Sequence, residues 1–283
     1  MVPVSFWETG VIYRMECFTI EKPDRNVVSC LKEIPENPQA IVIAVHGFSS
    51  SRECATYQLL LRRMPAAGYG VIGIDLPGHG SAESLRETLR IESCINSIEA
   101  AEKFAAAHFP ELPIFYFASS FGAYITGLYI STRPHLGRKA FFRSAAVNMP
   151  ALFTRENPII ANRTQLADLE EKGYFDASVE TAKPVQVTRE MIRDLEETDL
   201  FRLFDAGRFG STSVMMVHGA DDAVIDPDAA RSFAERFHIP IHFYPDEGHS
   251  LSDHPETPDR VADLAIAFYA GDQEPAEDTP HNR

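Results

Sequence analysis

Ile114-Phe115-Tyr116-Phe117-Ala118-Ser119-Ser120-Phe121-Gly122-Ala123-Tyr124 is the stretch from which the rest of the chain can be read. Apolar residues run directly into a small-x-Ser-x-small turn, and an apolar helical pattern follows without a gap. That is a buried strand, a sharp turn and a helix. A serine at the tip of such a turn has an exposed hydroxyl and a backbone in an unfavourable region. Strand and helix then approach so closely that the positions two before and two after it must be small. With Ser120 at the tip, those positions are Ala118 and Gly122; with Ser119 they would be Phe117 and Phe121, both too large. Ser120 is therefore the candidate nucleophile. The competing reading is a Ser-Ser pair that only caps the helix.

Upstream, residues 13–20 and 26–34 alternate and read as an antiparallel hairpin across Lys22-Pro23-Asp24-Arg25-Asn26. Ala40–Val45 and Gly70–Asp75 are apolar runs of the kind expected for strands buried on both faces. Helical patterns cover 53–66 and 86–108, and Ala145–Pro150 reads as a short strand closed by proline. Strand and helix alternating at this spacing predict a mostly parallel central sheet flanked by helices, an α/β fold. Catalytic groups in such sheets gather beyond the carboxyl ends of the strands, where His46-Gly47-Phe48, Asp75 and Ser120 all fall.

From Ala151 to Asp205 the buried strands stop and charge density rises. Leu166, Leu169, Ile192 and Leu195 mark two amphipathic helices, with a short hairpin between Tyr174–Val179 and Val185–Val187. This segment reads as an inserted lid. The core pattern resumes with a strand at 213–219, a helix at 228–237, a strand at 240–244 and a helix at 258–270. The expected organisation is thus 1–150 and 206–270 as two parts of one core, 151–205 as the lid, and the polar residues 271–283 as a disordered tail.

Composition excludes some functions. Against 26 basic residues stand 41 acidic ones, a formal charge of −15, which repels phosphate backbones and anionic lipid. Nucleic-acid binding and membrane insertion are not expected, and no apolar run approaches a membrane span. The N-terminal residues lack the basic and apolar regions of a signal peptide, so a cytoplasmic location is the expectation. Cys17, Cys30, Cys54 and Cys94 are scattered, with no metal-ligand spacing, so neither a metal nor a cofactor is expected. The oligomeric state is not legible.

A serine hydroxyl needs a base within hydrogen-bond reach, itself oriented by an acid. His218-Gly219-Ala220-Asp221-Asp222 places carboxylates past one strand, and Gly248-His249 places an imidazole past the next. With these landmarks, and with Asp75-Leu76-Pro77-Gly78-His79-Gly80, the chain resembles an α/β-hydrolase from about residue 11 to 270. Within that superfamily it is most similar to the feruloyl/cinnamoyl-esterase-like and monoacylglycerol-lipase-like branch. The resemblance implies a cofactor-free serine hydrolase acting on small or medium carboxylic esters. It makes Ser120 the nucleophile, His249 the general base and Asp222 the acid, with Asp221 and then Asp226 as alternatives. It gives the oxyanion hole to the backbone N–H groups of Phe48 and Phe121. A peptidase or thioesterase on the same residues, and a ligand-binding protein without catalysis, are the other readings. One departure stands out: Ala118-Ser119-Ser120 replaces the Gly-His-Ser usual in the family, which bears on pocket shape and substrate.

Other residues have plainer readings. His46, His79 and His218 read as structural, and His254 as a rival base set on the following loop. Asp75 reads as the holder of the 77–80 turn through an Asx-type bond. Phe153, Tyr174, Phe175, Phe201 and Phe204 read as the lid's own small core rather than as an acyl pocket.

Overall fold

The computed structural model describes residues 15–154, 162–178, 183–204 and 212–271. The expectations for the N-terminal residues and for the tail beyond 271 lie outside the described residues.

The described residues open with a hairpin, β1 (Glu16–Glu21) and β2 (Val27–Glu33), and continue through β3 (Ala40–Val45), α1 (Ala55–Ala66) and β4 (Tyr69–Ile74). Next come α2 (Ile91–His108), β5 (Ile114–Ser119), α3 (Phe121–Thr132), β6 (Gly137–Arg143) and α4 (Met149–Thr154). The insertion contributes α5 (Arg163–Lys172), β7 (Tyr174–Ala177), β8 (Val185–Thr188), α6 (Arg189–Glu197) and α7 (Leu200–Leu203). The core then closes with β9 (Ser213–Gly219), α8 (Pro227–Phe237), β10 (Ile241–Tyr244) and α9 (Thr257–Ala270).

Among the described residues, an eight-stranded sheet runs β1-β2-β4-β3-β5-β6-β9-β10. From β4 to β10 every pairing is parallel, and the hairpin adds the antiparallel edge. This is the α/β-hydrolase arrangement that the sequence led us to expect. The period of two along each strand builds two cores. Ile41, Ile43 and Val45 pack with α2 and α3 on one face, while Val42 and Ala44 pack with α1 and α9 on the other. Every residue of β3, β4 and β5 is buried, which is why those segments read as unbroken apolar runs.

One expected strand is misplaced. Ala145–Pro150 is not a strand; the chain turns there and enters α4, with Pro150 in its first turn where no N–H bond is lost. Its apolar character comes from packing beneath Ser120, whose carbonyl accepts from Ala146 N at 3.2 Å. The real strand is β6, Gly137-Arg138-Lys139-Ala140-Phe141-Phe142-Arg143, whose basic residues mask the pattern. Lys139 Nζ donates to the Phe268 and Tyr269 carbonyls at 2.7 and 2.9 Å, closing the end of α9. Helix α2 also begins at Ile91 rather than near 86; Leu89 is buried, but from a preceding turn.

The insertion is tied to the core. Arg90 donates through Nε and Nη2 to the Asp194 carboxylate, both at 2.7 Å, and Tyr124 Oη donates to the Thr198 carbonyl at 2.5 Å. Its buried side chains, Phe175, Val187, Met191, Leu195, Leu200 and Phe204, belong to the main core and not to a separate small one. Phe201 and Phe204 pack on Phe233 of α8, Phe153 packs on Phe48, and Tyr174 is exposed.

Candidate active site

Ser120 stands between β5 and α3 with φ 50° and ψ −115°, and its side chain makes no cap bond to the helix. Main-chain bonds hold this conformation: Ser120 N donates to Arg143 O at 2.9 Å, and Ser120 O accepts from Ala123 and Tyr124 N. A Cβ at Gly122 would lie 2.2 Å from Val45 O and 2.5 Å from His46 O, so only glycine lets α3 cross the end of β3 here. Ala118 is fully buried. The size rule read from the sequence has this crossing as its physical cause.

His249 follows β10. Its Nε2 lies 3.0 Å from Ser120 Oγ, and its Nδ1 lies 2.8 Å from Asp222 Oδ2. A carboxylate only accepts, so Nδ1 carries the proton and the Nε2 lone pair faces the serine hydroxyl. The His249 backbone carbonyl accepts from Ser144 Oγ at 2.8 Å, and Arg143 Nη2 donates to the next carbonyl, that of Ser250. Gly248 has no positive φ; the left-handed residues of this loop are Asp246 and Leu251. The loop is organised instead by Glu247, whose buried carboxylate accepts from Asp253 N and His254 N, both at 3.0 Å, and pairs with His254 Nδ1. Burial raises the Glu247 pKa, but hydrogen bonds from Thr257, Asp253 and His254 outweigh it and hold the carboxyl below its usual range. His254, the rival base, is therefore engaged away from Ser120, and the Glu247 pairing raises its pKa. Glu247 escaped sequence reading; a glutamate beside a candidate histidine in a turn was the available signal.

Asp222 is buried beyond β9. Oδ1 accepts from Val224 N at 2.8 Å and Ile225 N at 2.9 Å, while Oδ2 accepts from both His249 Nδ1 and His218 Nε2, the latter at 3.1 Å. Burial pushes its pKa up, yet the bonds from His218, His249 and Ile225 N more than offset this and keep it ionised far below the usual carboxylate range. Asp221 is exposed, and Asp226 caps α8 by accepting from Asp228 N at 2.9 Å. Of the three candidate acids, Asp222 is the one brought to His249. His218 was read as packing; it is fully buried but also donates to this carboxylate.

Gly47 sits against the serine, since a Cβ there would lie 3.2 Å from Ser120 Cβ. This brings the 46–48 loop alongside the turn. Phe121 N is the first amide of α3 and so lacks an intrahelical acceptor. Among the described residues, neither it nor Phe48 N donates to a turn or loop carbonyl. His46 ties the loop to its neighbour: Nδ1–H donates to Gly47 O at 2.8 Å and Nε2 accepts from Leu76 N at 3.0 Å. Burial lowers its pKa to about 4, and burial lowers that of His79 to about 3. Asp75 accepts from Arg52 N at 2.8 Å and from Ser81 N at 3.0 Å, and pairs with the Arg52 guanidinium. It thus bridges two loops, wider than the local Asx bond expected.

Ser120 and His249 line a cavity of about 520 Å³ bounded by Tyr57, Leu60, Phe117 and Val261. It lies toward α1 and α9, and no described residue of the insertion lines it. A second cavity of about 440 Å³ lies between the 49–54 loop, His79 and Lys183-Pro184-Val185 of the insertion. Among the described residues, no group of three or more His, Cys, Asp or Glu gathers as metal ligands, and no helix is long and apolar enough to cross a membrane.

The sheet order, the strained serine turn and the loops gathered at the strand ends define the α/β-hydrolase fold. A family model described as "Serine aminopeptidase, S33" matches residues 36–202, more than half the chain, and the protein belongs to that hydrolase family. The match includes Phe48 and Ser120 and ends before Asp222 and His249. No match was found among curated proteins. Solved structures share the fold at low identity. A putative hydrolase from Agrobacterium vitis S4 is 20% identical with a TM-score of 0.70, over 90% of this chain and 98% of that one. Est1E from Butyrivibrio proteoclasticus, solved with ferulic acid bound, is 16% identical with a TM-score of 0.73, over 90% and 98%. A thermostable carboxyl esterase from Bacillus coagulans, in complex with glycerol, is 16% identical with a TM-score of 0.68, over 91% and 98%.

Proposed function

We propose that this hydrolase cleaves small or medium carboxylic esters through an acyl-enzyme intermediate. The observation that carries the reading is the hydrogen-bonded row from Asp222 Oδ2 through His249 to Ser120 Oγ, at 2.8 and 3.0 Å, with the serine on a strained turn. Ser120 Oγ attacks the ester carbonyl while His249 Nε2 takes its proton. Asp222 holds the imidazolium and stabilises its charge. The amides of Phe48 and Phe121 donate to the oxyanion, an interaction whose loss typically costs ~10²–10³ in rate. His249 then protonates the departing alcohol. A water, deprotonated by His249, attacks the acyl-enzyme; the acid leaves and the Ser120 hydroxyl is restored.

The name of the family keeps a peptidase reading in view. An aminopeptidase needs a carboxylate for the substrate ammonium. Among the described lining residues of the cavity the one carboxylate is Asp259, which pairs with Arg63. That favours the ester. We read the 151–205 insertion as a cover over the strand ends, a reading supported by the cavity it walls with Lys183-Pro184-Val185.

The test is hydrolysis of p-nitrophenyl esters by wild type and Ser120→Ala. Alanine keeps the Cβ and adds no new strain, so turnover should vanish while Tm stays within a few degrees. Retained turnover, or unfolding by this change, would overturn the assignment.

A further inference from the structure

The cavity at Ser120 carries polar groups that ester cleavage does not use. Strand alternation sends Phe117 and Ser119 of β5, with Phe141 and Arg143 of β6, to the α1 and α9 face, and Ser119 pairs in register with Arg143. Ser119 is 7% exposed and Tyr57 of α1 is 1% exposed; both line the cavity, and neither Ser119 Oγ nor Tyr57 Oη has a hydrogen-bond partner. Buried hydroxyls are ordinarily paired, so two orphans in one wall mark a place where a bound molecule supplies the acceptor. Arg143 lines the same wall, and its charge is felt at the Tyr57 hydroxyl. The departure noted at the serine turn falls here as well: a small hydroxyl at position 119 leaves the cavity open where a histidine would fill it.

A guanidinium and two hydroxyl donors ask for an anionic acceptor. We propose that Tyr57, Ser119 and Arg143 form a recognition site for a carboxylate on the substrate, so that the preferred esters bear a free carboxylate near the scissile bond. This rests on Ser120 being the nucleophile. With a net charge of −15 the whole molecule disfavours anions, so any preference must come from this local site.

The experiment compares kcat/KM within two pairs matched in shape and differing in charge. On the acyl side these are p-nitrophenyl hemisuccinate and its neutral isostere p-nitrophenyl 4-methylpentanoate; on the leaving-group side, 3-acetoxybenzoate and 3-acetoxybenzamide. The carboxylate member should be favoured by about tenfold or more in one pair. That pair also tells which end of the ester enters the cavity. Tyr57→Phe and Ser119→Ala keep the packing and should each cut the ratio severalfold, and Arg143→Gln should cut it further. Turnover with ratios near or below one in both pairs overturns the proposal, as do ratios that Tyr57→Phe and Ser119→Ala leave unchanged. A protein labelled at Ser120 by a fluorophosphonate but inactive on both pairs also overturns it, leaving the hydrolase reading in place. Absence of both labelling and turnover removes the two together.

Discussion

Ser120 occupies a backbone conformation that costs on the order of 1–3 kcal/mol, and the amide bonds on both sides of it keep the residue there. Its neighbours in space divide the work at single residues. Asp222 is satisfied by four donors and cannot rotate away from His249, whereas Asp221, next in sequence, points to solvent. Asp222→Asn should therefore lower kcat by ~10⁴, because the amide favours the wrong imidazole tautomer. Asp221→Asn should change it by no more than a few-fold. Steady-state kinetics on the two variants decides, and the reverse order would move the acid. Ser120, His249 and the Asp221/Asp222 pair were legible because each ends a strand with a glycine nearby. The bonds from His218 and the bracing by Glu247 were not, since a lone buried histidine or glutamate carries no period and reveals its partner only once the chain is folded.

At the scale of elements, the crossing of α3 over β3 is what builds the turn. The two carbonyls that a Gly122 Cβ would meet belong to backbone on the sheet and cannot give way. Gly122→Ala should cost upwards of about 4 kcal/mol or leave the protein insoluble. Gly173→Ala, at a helix end with φ +85° and open space around it, should cost only about 1 kcal/mol. Urea unfolding measures both, and a wild-type midpoint for Gly122→Ala would refute the packing argument. The buried strands β3, β4 and β5 were readable because both of their faces lie in a core. Strand β6 was hidden because Lys139 and Arg143 serve as caps and braces for α9 and the His249 loop, roles set by elements more than a hundred residues away.

Across the whole molecule, His46 and His79 lie in the layer that joins the loops at the strand ends, and both are neutral when folded. An imidazole of ordinary pKa 6.5 is held at about 4 in His46 and about 3 in His79 by burial. The unfolded chain then binds more protons than the folded one below pH 6.5. Stability is complete above that value and falls as the pH drops toward 4. Between pH 7 and 5 each histidine should account for about 2 kcal/mol of the loss. Urea unfolding at the two pH values should reveal that loss, with proton uptake on unfolding; equal stability at both would contradict the neutral, buried assignment. The insertion follows the same logic of shared layers. Its aromatic residues looked like a separate small core in sequence, but Phe201 and Phe204 pack on Phe233 of the core, while Tyr124 and Arg90 of the core bond Thr198 and Asp194 beside them.

The central claim is an activated serine at position 120, and labelling with a fluorophosphonate followed by mass mapping tests it most directly. Such a probe modifies serines that have both a working base and donors for the oxyanion. A single adduct on the peptide containing Ser120, lost in His249→Ala, is the expected result. Well-folded protein that takes up no label, or takes it at another serine, would contradict the claim and turn attention to a ligand-binding role.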